Sequence, residues 1–148
     1  MTSQHWCKAK RIDFENCSES LQWAEGYFVK TEDRCFLITV MMDPVFYEQL
    51  NINTFVEVIP ETISRPTGLM DKNLTPIWEN DIVRVPYRNL EDSYCRIVFK
   101  NGQFIGVEQD GCENIIRKQD IEIIGNAFDN PELLLDSKNQ ESDNLGLE

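Results

Sequence analysis

The sequence predicts a mainly β protein with two β portions, at most one or two short helices and a disordered acidic C-terminal tail. Three observations favour this fold class. Short segments rich in β-branched and aromatic residues recur along the chain, and turn-forming residues separate them. Hydrophobic residues make up 41% of the 148 residues. That fraction is too high for wholesale disorder, so a core can form.

The N-terminal β portion is predicted over residues 1–66 and begins with weak signals. An early strand is expected around Lys8–Phe14. A hairpin then joins Tyr27–Lys30 to Arg34–Val40 across the polar tripeptide Thr31-Glu32-Asp33. Two β-type runs separated by three polar residues are typical of an antiparallel pair.

Two prolines in the second half of this portion indicate where structural elements begin and end. Pro44–Leu50 begins with proline after a capping Asp43, which favours a short helix, with an extended loop as the alternative. Phe55–Ile59 is the next strand, and it ends at Pro60 because proline cannot donate to a ladder. Residues 63–78 are rich in turn formers and are interpreted as connecting structure.

The C-terminal portion is predicted over residues 67–135. Asp81–Tyr87 alternates as a strand. Tyr94–Lys100 and Gln103–Glu108 flank Asn101-Gly102. This dipeptide accepts positive φ at both central positions of a type I′ turn and therefore predicts a tight hairpin.

The remaining strands are short. An apolar piece contains Ile115, and Asp120–Ile124 is the last strand. Closely spaced strands of this kind predict an SH3-like small β-barrel, because closure removes exposed sheet edges. Glu132–Leu135 has the length of one helical turn, and the polar, acidic residues 136–148 predict a disordered tail.

The net charge of −12 bears directly on the class of partner. Such a chain repels phosphate, whereas duplex-binding proteins use a basic face that releases counterions, so duplex nucleic acid is disfavoured. No run approaches the ~20 apolar residues of a membrane helix. Residues 1–10 lack the features of a signal peptide. We therefore expect a cytoplasmic protein with no membrane partner.

The five cysteines do not suggest a disulfide framework, since their number is odd and no C-x-x-C pair occurs. A reducing cytosol is the simplest interpretation. Zinc is the sharper alternative, but the spacings match no known chelating knuckle. Its four ligands would be His5, Cys7, Cys17 and Cys35. We expect buried or surface thiols, with neither metal nor cofactor.

The sequence contains no constellation that predicts an enzyme. The sole histidine is His5, near the N-terminus, where a general acid or base would be poorly anchored. Glu79 and Asp81 offer a paired-acid or magnesium site, but a solvated rim with a turn cap is the favoured interpretation. No phosphate-binding glycine loop, dinucleotide fingerprint or serine-hydrolase elbow occurs. We therefore expect no catalytic residues.

Two ordered blocks carry a resemblance to a known family. They are Thr67-Gly68-Leu69-Met70-Asp71-Lys72-Asn73 and Ile77-Trp78-Glu79-Asn80-Asp81-Ile82-Val83. This arrangement resembles the YopX family, in which a T-G-L-x-D-K-N block precedes an aromatic-E-G-D-I-V block. Three further blocks lie at residues 23–27, 56–63 and 121–134, so the resemblance extends over roughly residues 6–135, and five ordered blocks are more specific than one motif.

The resemblance implies a mainly β phage or prophage protein with a barrel-like half and no known active site. The blocks are interpreted as turn chemistry and packing. The candidate interaction residues that the two blocks provide are Asp71, Lys72, Asn73, Trp78, Glu79 and Asp81.

Two residues depart from the family pattern, which usually has glycine after D-K-N and before D-I-V. This chain has Leu74 and Asn80 there. Asn tolerates the left-handed backbone region, so Asn80 can hold the same turn. Leu74 adopts that conformation only at a cost in energy, which leaves the conformation of residues 71–76 open.

The leading functional hypothesis is a non-enzymatic phage or prophage accessory protein that binds a host or phage protein through an acidic surface, in the narrower version by imitating DNA. The sequence is also compatible with a homo-oligomer. The alternative is a nucleic-acid-binding module that uses the barrel. Its contact face would consist of Arg84, Tyr87, Arg96 and Lys100.

The three tryptophans are candidate anchors for a partner, because tryptophan contributes strongly to binding hot spots. For Trp23 and Trp78 a place in the core is favoured. For Trp6 the two interpretations stay open.

Overall fold

The computed structural model describes residues 6–39, 55–87, 90–116 and 121–134. The chain divides into two compact units, residues 1–66 and residues 67–148, and each is built on its own antiparallel sheet. The mainly β fold predicted from the sequence is confirmed. In the described ranges no helix has both the length and the apolar character needed to cross a membrane.

The N-terminal unit contains a four-stranded sheet in which neighbours in sequence are neighbours in space. Its strands are β1 (Trp6–Lys10), β2 (Trp23–Lys30), β3 (Cys35–Ile38) and β4 (Phe55–Glu57). In the described residues of this unit, three short 3-10 helices occupy connections: Phe14–Asn16, Glu19–Leu21 and Pro60–Thr62.

The predicted hairpin is confirmed as β2 and β3, with Tyr27 opposite Ile38 and Lys30 opposite Cys35. The early strand was predicted too far along the chain. It ends at Lys10, because the following residues turn into the first 3-10 helix. The predicted helix at Pro44–Leu50 lies outside the described residues.

The two outer strands of this sheet are also joined to each other. The Ile12 amide donates to the Glu57 carbonyl over 3.1 Å, and the Ile59 amide donates to the Lys10 carbonyl over 2.9 Å. Lys8 and Ser64 form a further antiparallel bridge. These bonds link β1 back to β4, so the backbone groups at both edges find partners within the unit.

Small and aliphatic side chains fill the interior of the N-terminal unit. The buried residues are Cys7, Ala9, Ala24, Cys35, Leu37 and Val58, with Phe28, Val56 and Ile63 packed against them. Gly26 faces the same interior, and a Cβ added there would lie 2.3 Å from the Ile38 carbonyl oxygen. No larger residue fits this close approach of β2 to β3 without a backbone shift.

The C-terminal unit contains a five-stranded sheet and a two-stranded ribbon. The ribbon pairs β5 (Pro66–Met70) with β6 (Pro76–Trp78). The sheet has the order β10-β9-β8-β7-β11. Its strands are β7 (Asp81–Tyr87), β8 (Leu90–Lys100), β9 (Gln103–Val107), β10 (Glu113–Ile115) and β11 (Glu122–Asn126).

The hairpin at Asn101-Gly102 is confirmed, with φ values of 53° and 80° at its two central residues. The last strand is displaced from its predicted position and contains a bulge between Ile123 and Gly125. β11 lies beside β7, but in the described residues no pairing joins β10 to β11. The SH3-like barrel is therefore not confirmed.

The interpretation of residues 63–78 as connecting structure was wrong for two stretches, which form β5 and β6. Prolines obscured them in the sequence, yet Pro66 and Pro76 each stand at the first residue of a strand, where a missing amide donor is tolerated. The core of this unit contains Ile77, Val83, Cys95, Ile97 and Ile121. Trp78 is buried, as expected.

Candidate functional site

The first signature block forms a turn between β5 and β6 that is organised by one buried carboxylate. Asp71 Oδ1 accepts hydrogen bonds from the Asn73 and Thr75 amides, each over 2.9 Å. Asp71 Oδ2 accepts one from the Ile123 amide over 3.1 Å. The carboxylate thus shapes its own turn and attaches that turn to β11.

The environment of Asp71 keeps its side chain ionised. Burial alone would raise the pKa, but the hydrogen bonds from the Thr75, Ile123 and Asn73 amides and the nearby Lys72 charge outweigh burial and lower the pKa below its ordinary value. A carboxylate that accepts three backbone hydrogen bonds has little capacity left for a substrate or a metal.

Lys72, the next signature residue, joins a charged group on the sheet. Its ammonium lies 3.1 Å from Glu122 Oε2. Arg84 forms an ion pair with the same carboxylate and lies 3.8 Å from Asp92 Oδ2. The hydrogen bond from Lys72 and the charge of Arg84 lower the pKa of Glu122. The Asn73 side chain belongs to the exposed part of the turn.

The second signature block forms another turn, between β6 and β7. The buried carboxylate of Asp81 accepts a hydrogen bond from the Trp78 amide over 2.8 Å. Asn80 adopts a φ of 73°, as predicted from its tolerance of the left-handed region. Glu79 is half-buried beside it. The role of Asp81 in the turn is structural, which favours the turn-cap interpretation over a paired-acid site.

Leu74 occupies the left-handed region as well, with a φ of 63° and a side chain that is 77% exposed. A non-glycine residue therefore adopts, at this turn, the conformation that glycine adopts most readily. The three hydrogen bonds at Asp71 and the bond from the Leu74 amide to the Asp71 carbonyl, 3.0 Å long, hold the turn in place.

Three of the four residues proposed as a nucleic-acid face lie on the same side of the sheet but not next to one another, since Arg84 stands opposite Tyr94, six residues before Lys100. Arg84, Arg96 and Lys100 project from one face of the sheet, since Ile82 stands opposite Arg96 and strand positions alternate in direction. For Tyr87, only the backbone at the end of β7 is described.

Each of these cations has a partner on the protein. Arg84 pairs with Glu122, and Lys100 pairs with Glu113. The Arg96 guanidinium donates to Asn80 Oδ1 over 2.9 Å and lies 5.7 Å from the centre of the Phe128 ring. Arg84 and Lys100, which pair with carboxylates, release few counterions on binding phosphate, and this weakens the electrostatic basis of a nucleic-acid face. Arg96 keeps its charge, because the Asn80 amide is neutral.

Groups that could hold a metal are sparse in the described parts of the chain. In these parts, one set of three such side chains lies close together, on the exposed loop after β9: Glu108, Asp110 and Cys112. The four ligands of the zinc alternative are not among the side chains that converge there. Its Cys7 and Cys35 lie in the core, and His5 lies outside the described residues.

Sequence reasoning missed an apolar surface on the N-terminal unit. The outward side of its sheet carries a group of residues that we call the aromatic face: Trp6, Tyr27, Val29, Phe36, Ile38 and Phe55. Trp23 also lies on the outward side, half-buried, so it is not the core residue that was expected. The signal was present in the alternation of each strand, where these residues occupy the positions opposite in direction to the core residues.

Comparisons with known proteins give a family match and a similar solved structure. The family model described as YopX protein matches residues 22–135, so residues 6–21 of the resemblance lie outside the match. No curated protein matches the chain. The crystal structure of protein EF1440 from Enterococcus faecalis is similar at 21% identity and a TM-score of 0.43, covering 88% of this chain and 96% of that one.

Proposed function

The chain belongs to the YopX protein family, and from this premise we propose that it is a non-enzymatic phage or prophage accessory protein that acts in the cytoplasm of the bacterial host. It binds a second protein, a host or phage factor, through its acidic surface. The observation that supports this proposal is the division of the carboxylates into two groups, one buried in turns and one exposed to solvent.

The two buried carboxylates of the signature blocks, Asp71 and Asp81, accept hydrogen bonds from backbone amides of their own turns. They stabilise the fold through these backbone hydrogen bonds, and the remaining acid of the two blocks is the half-buried Glu79. Many other carboxylates are exposed to solvent. In the described part of the N-terminal unit they are Asp13, Glu15, Glu19, Glu25, Glu32, Asp33 and Glu61.

Exposed carboxylates on a chain of net charge −12 create a field that attracts a basic partner and accelerates its encounter. Such a field repels nucleic acid. In the narrower form of the proposal the partner is a DNA-binding protein, whose basic face accepts the acidic surface in place of phosphates.

The test immobilises the full chain and identifies the proteins that it captures from a bacterial lysate at about 50 mM and about 200 mM salt. A control variant replaces Glu15, Glu19, Glu32 and Glu61 by glutamine, which removes four negative charges at exposed positions. We expect one dominant partner whose recovery falls with salt and falls in the control variant. Duplex DNA added in excess displaces it if the narrower form holds.

Failure to enrich any protein at either salt concentration contradicts the proposal. So does a partner whose recovery is equal for the wild-type chain and for the glutamine variant, because its binding would not depend on the acidic surface.

A second candidate function is favoured by the shared face of Arg84, Arg96 and Lys100. In this alternative the C-terminal sheet binds single-stranded nucleic acid. A shift assay with single-stranded DNA and RNA at about 50 mM salt tests it. Binding that is lost in Arg84→Gln supports the alternative, and absence of binding removes it.

A further inference from the structure

The tight turn between β8 and β9 contains the one asparagine of the sequence that is followed by glycine, Asn101-Gly102. We propose that Asn101 is the residue at which this chain deamidates, by cyclisation onto the Gly102 amide, and that the isoaspartate formed prevents the end of the β8–β9 hairpin from closing again. This inference concerns a modification site and does not depend on the proposed function.

The chemistry depends on the absence of a side chain at position 102. The backbone nitrogen that follows an asparagine can attack the asparagine Cγ and close a succinimide ring. A Cβ on the following residue hinders this approach, whereas glycine leaves it open and gives the backbone the freedom that ring closure needs. Asn101 therefore has the most reactive neighbour that an asparagine can have.

The other described asparagines lack this neighbour. Asn130 precedes proline, whose nitrogen carries no proton to lose. Two of the others also use their side-chain amides in hydrogen bonds: Asn80 Oδ1 accepts one from Arg96, and Asn114 Nδ2 donates one to Cys95 Sγ over 3.4 Å. The asparagines of the described ranges that precede a residue with a side chain are Asn16, Asn73, Asn80, Asn114 and Asn126.

The reacting groups of the turn are accessible to water. Asn101 and Gly102 are both exposed, and a Cβ added at Gly102 would meet nothing within 4 Å. Within the described part of the chain, the Asn101 side chain makes no hydrogen bond and the Gly102 amide donates none. Water can therefore enter the turn and ammonia can leave it.

The backbone of the folded turn controls the rate of cyclisation. Asn101 has a φ of 53°, in the left-handed region, where ψ is about +30 to +60°. At these angles the Gly102 nitrogen lies nearly opposite the Asn101 Cβ across the bond between Cα and the carbonyl carbon, so Cγ cannot reach it. The pairing of Lys100 with Gln103 fixes this geometry. Cyclisation therefore requires the end of the hairpin to open, which is a local event at an exposed turn.

The reaction consumes water and needs no other reactant. A base from the solvent removes the Gly102 amide proton, the nitrogen bonds to Asn101 Cγ, and the bond from Cγ to Nδ2 breaks so that Nδ2 leaves as ammonia. Water then opens the ring. Cleavage between the nitrogen and Cγ gives aspartate, and cleavage between the nitrogen and the backbone carbonyl carbon gives isoaspartate. The sum is hydrolysis of an amide, and no atom is oxidised or reduced.

The two products have opposite effects on the hairpin. Aspartate keeps the pairing, because Asp-Gly is compatible with a type I′ turn. Isoaspartate routes the backbone through Cβ and Cγ and lengthens the two-residue turn by a methylene group. The pairing of Lys100 with Gln103 depends on the length of this turn, as does the contact between the Phe99 and Phe104 rings, whose centres lie 4.9 Å apart. Isoaspartate therefore separates the strands at the end of the hairpin.

The experiment follows the full chain during incubation at mildly alkaline pH, folded in buffer and unfolded in guanidinium chloride. Peptide mapping by mass spectrometry identifies each asparagine whose NH₂ group is replaced by OH, and electron-transfer fragmentation distinguishes isoaspartate from aspartate. Hydrogen exchange then compares the β8 and β9 amides of the isolated isoaspartate form with those of the wild-type chain. The matched control is Asn101→Asp, which has the added charge but the ordinary backbone.

We expect Asn101 to be the first asparagine converted in both conditions. Its conversion should be at least about ten-fold slower in the folded chain, because the reaction waits for the paired hairpin end to open. Isoaspartate should exceed aspartate, since water attacks the backbone carbonyl of the ring more readily. Amides at the end of the hairpin should exchange at least about ten-fold faster in the isoaspartate form, whereas Asn101→Asp should exchange like the wild-type chain.

Several results overturn the inference. Faster conversion of Asn73, or of any other asparagine, in the folded chain contradicts the choice of site. Equal rates in the folded and unfolded chains contradict control by hairpin opening, and a folded chain that stays unmodified long after the unfolded chain is fully converted refutes the proposal itself. Slow exchange in the isoaspartate form, or equally fast exchange in Asn101→Asp, refutes the effect of the lengthened backbone.

Discussion

Leu74 lies in the left-handed backbone region, with a φ of 63°, and replacing it by glycine should stabilise the C-terminal unit. A non-glycine residue in the left-handed region costs about 1–2 kcal/mol. Glycine removes that cost but adds about 0.5–1 kcal/mol of conformational entropy to the unfolded chain. Because the Leu74 side chain is 77% exposed, little apolar burial is lost.

The net expectation for Leu74→Gly is a gain of about 1 kcal/mol in the free energy of unfolding. For a unit of 60–100 residues, a gain of this size raises Tm by about 4–8 °C. Thermal and urea unfolding, followed by circular dichroism, measure both quantities. The gain should appear in the transition of the C-terminal unit.

Two controls separate the backbone effect from the loss of the side chain. Leu74→Ala removes most of the side chain but keeps the Cβ, so its stability should stay within about 0.5 kcal/mol of the wild-type value. Met70→Gly, in β5 and 53% exposed, should lose about 0.5–1 kcal/mol. Equal stability of Leu74→Gly and Leu74→Ala would show that the left-handed backbone at this position costs no free energy.

Three further predictions concern the turn, the N-terminal core and the thiols. Asp71→Ala should lose about 3 kcal/mol, because three backbone donors lose their acceptor. The pKa of Asp71 is lower in the folded chain than in the unfolded chain. Its ionised carboxylate therefore stabilises the fold above the ordinary pKa of about 3.9, and this stabilisation is lost as pH falls through the folded pKa. The difference in the free energy of unfolding between wild type and Asp71→Asn should shrink in acid. Gly26→Ala should lose at least about 1–3 kcal/mol, because its Cβ would collide with the Ile38 carbonyl. With a thiol-reactive dye, the exposed Cys112 should react first, whereas Cys95, whose pKa burial raises to about 11, should react only on unfolding.

Each of these has a control in a neighbouring residue. Lys72→Ala should cost far less than Asp71→Ala, because the ion pair that it breaks is partly exposed. Glu25→Ala should stay close to the wild-type stability, since its side chain is exposed. Cys112→Ser should remove the fast phase of labelling. An unchanged labelling rate in Cys112→Ser, or equal stability of Asp71→Ala and Lys72→Ala, would contradict the structural account.

Local patterns in the sequence were sufficient for much of the fold. The Asn101-Gly102 dipeptide determines its own hairpin, because the preference for positive φ belongs to those two residues and needs no tertiary contact. The same is true of Asn80, and of the alternation that makes Asp81–Tyr87 a strand. These features depend only on residues that are adjacent in sequence, so the sequence is sufficient to predict them.

The roles of Asp71 and of the aromatic residues depend on residues far along the chain. Asp71 bonds the Ile123 amide, 52 residues away, which no local pattern predicts. The positive φ of Leu74 is imposed by that anchored turn against its own preference. Trp6 and Phe55 become parts of one surface only when four strands pair in register. The alternation along each strand predicts which side chains lie on the outward side of the sheet. Which of those side chains contact each other depends on how the strands pair.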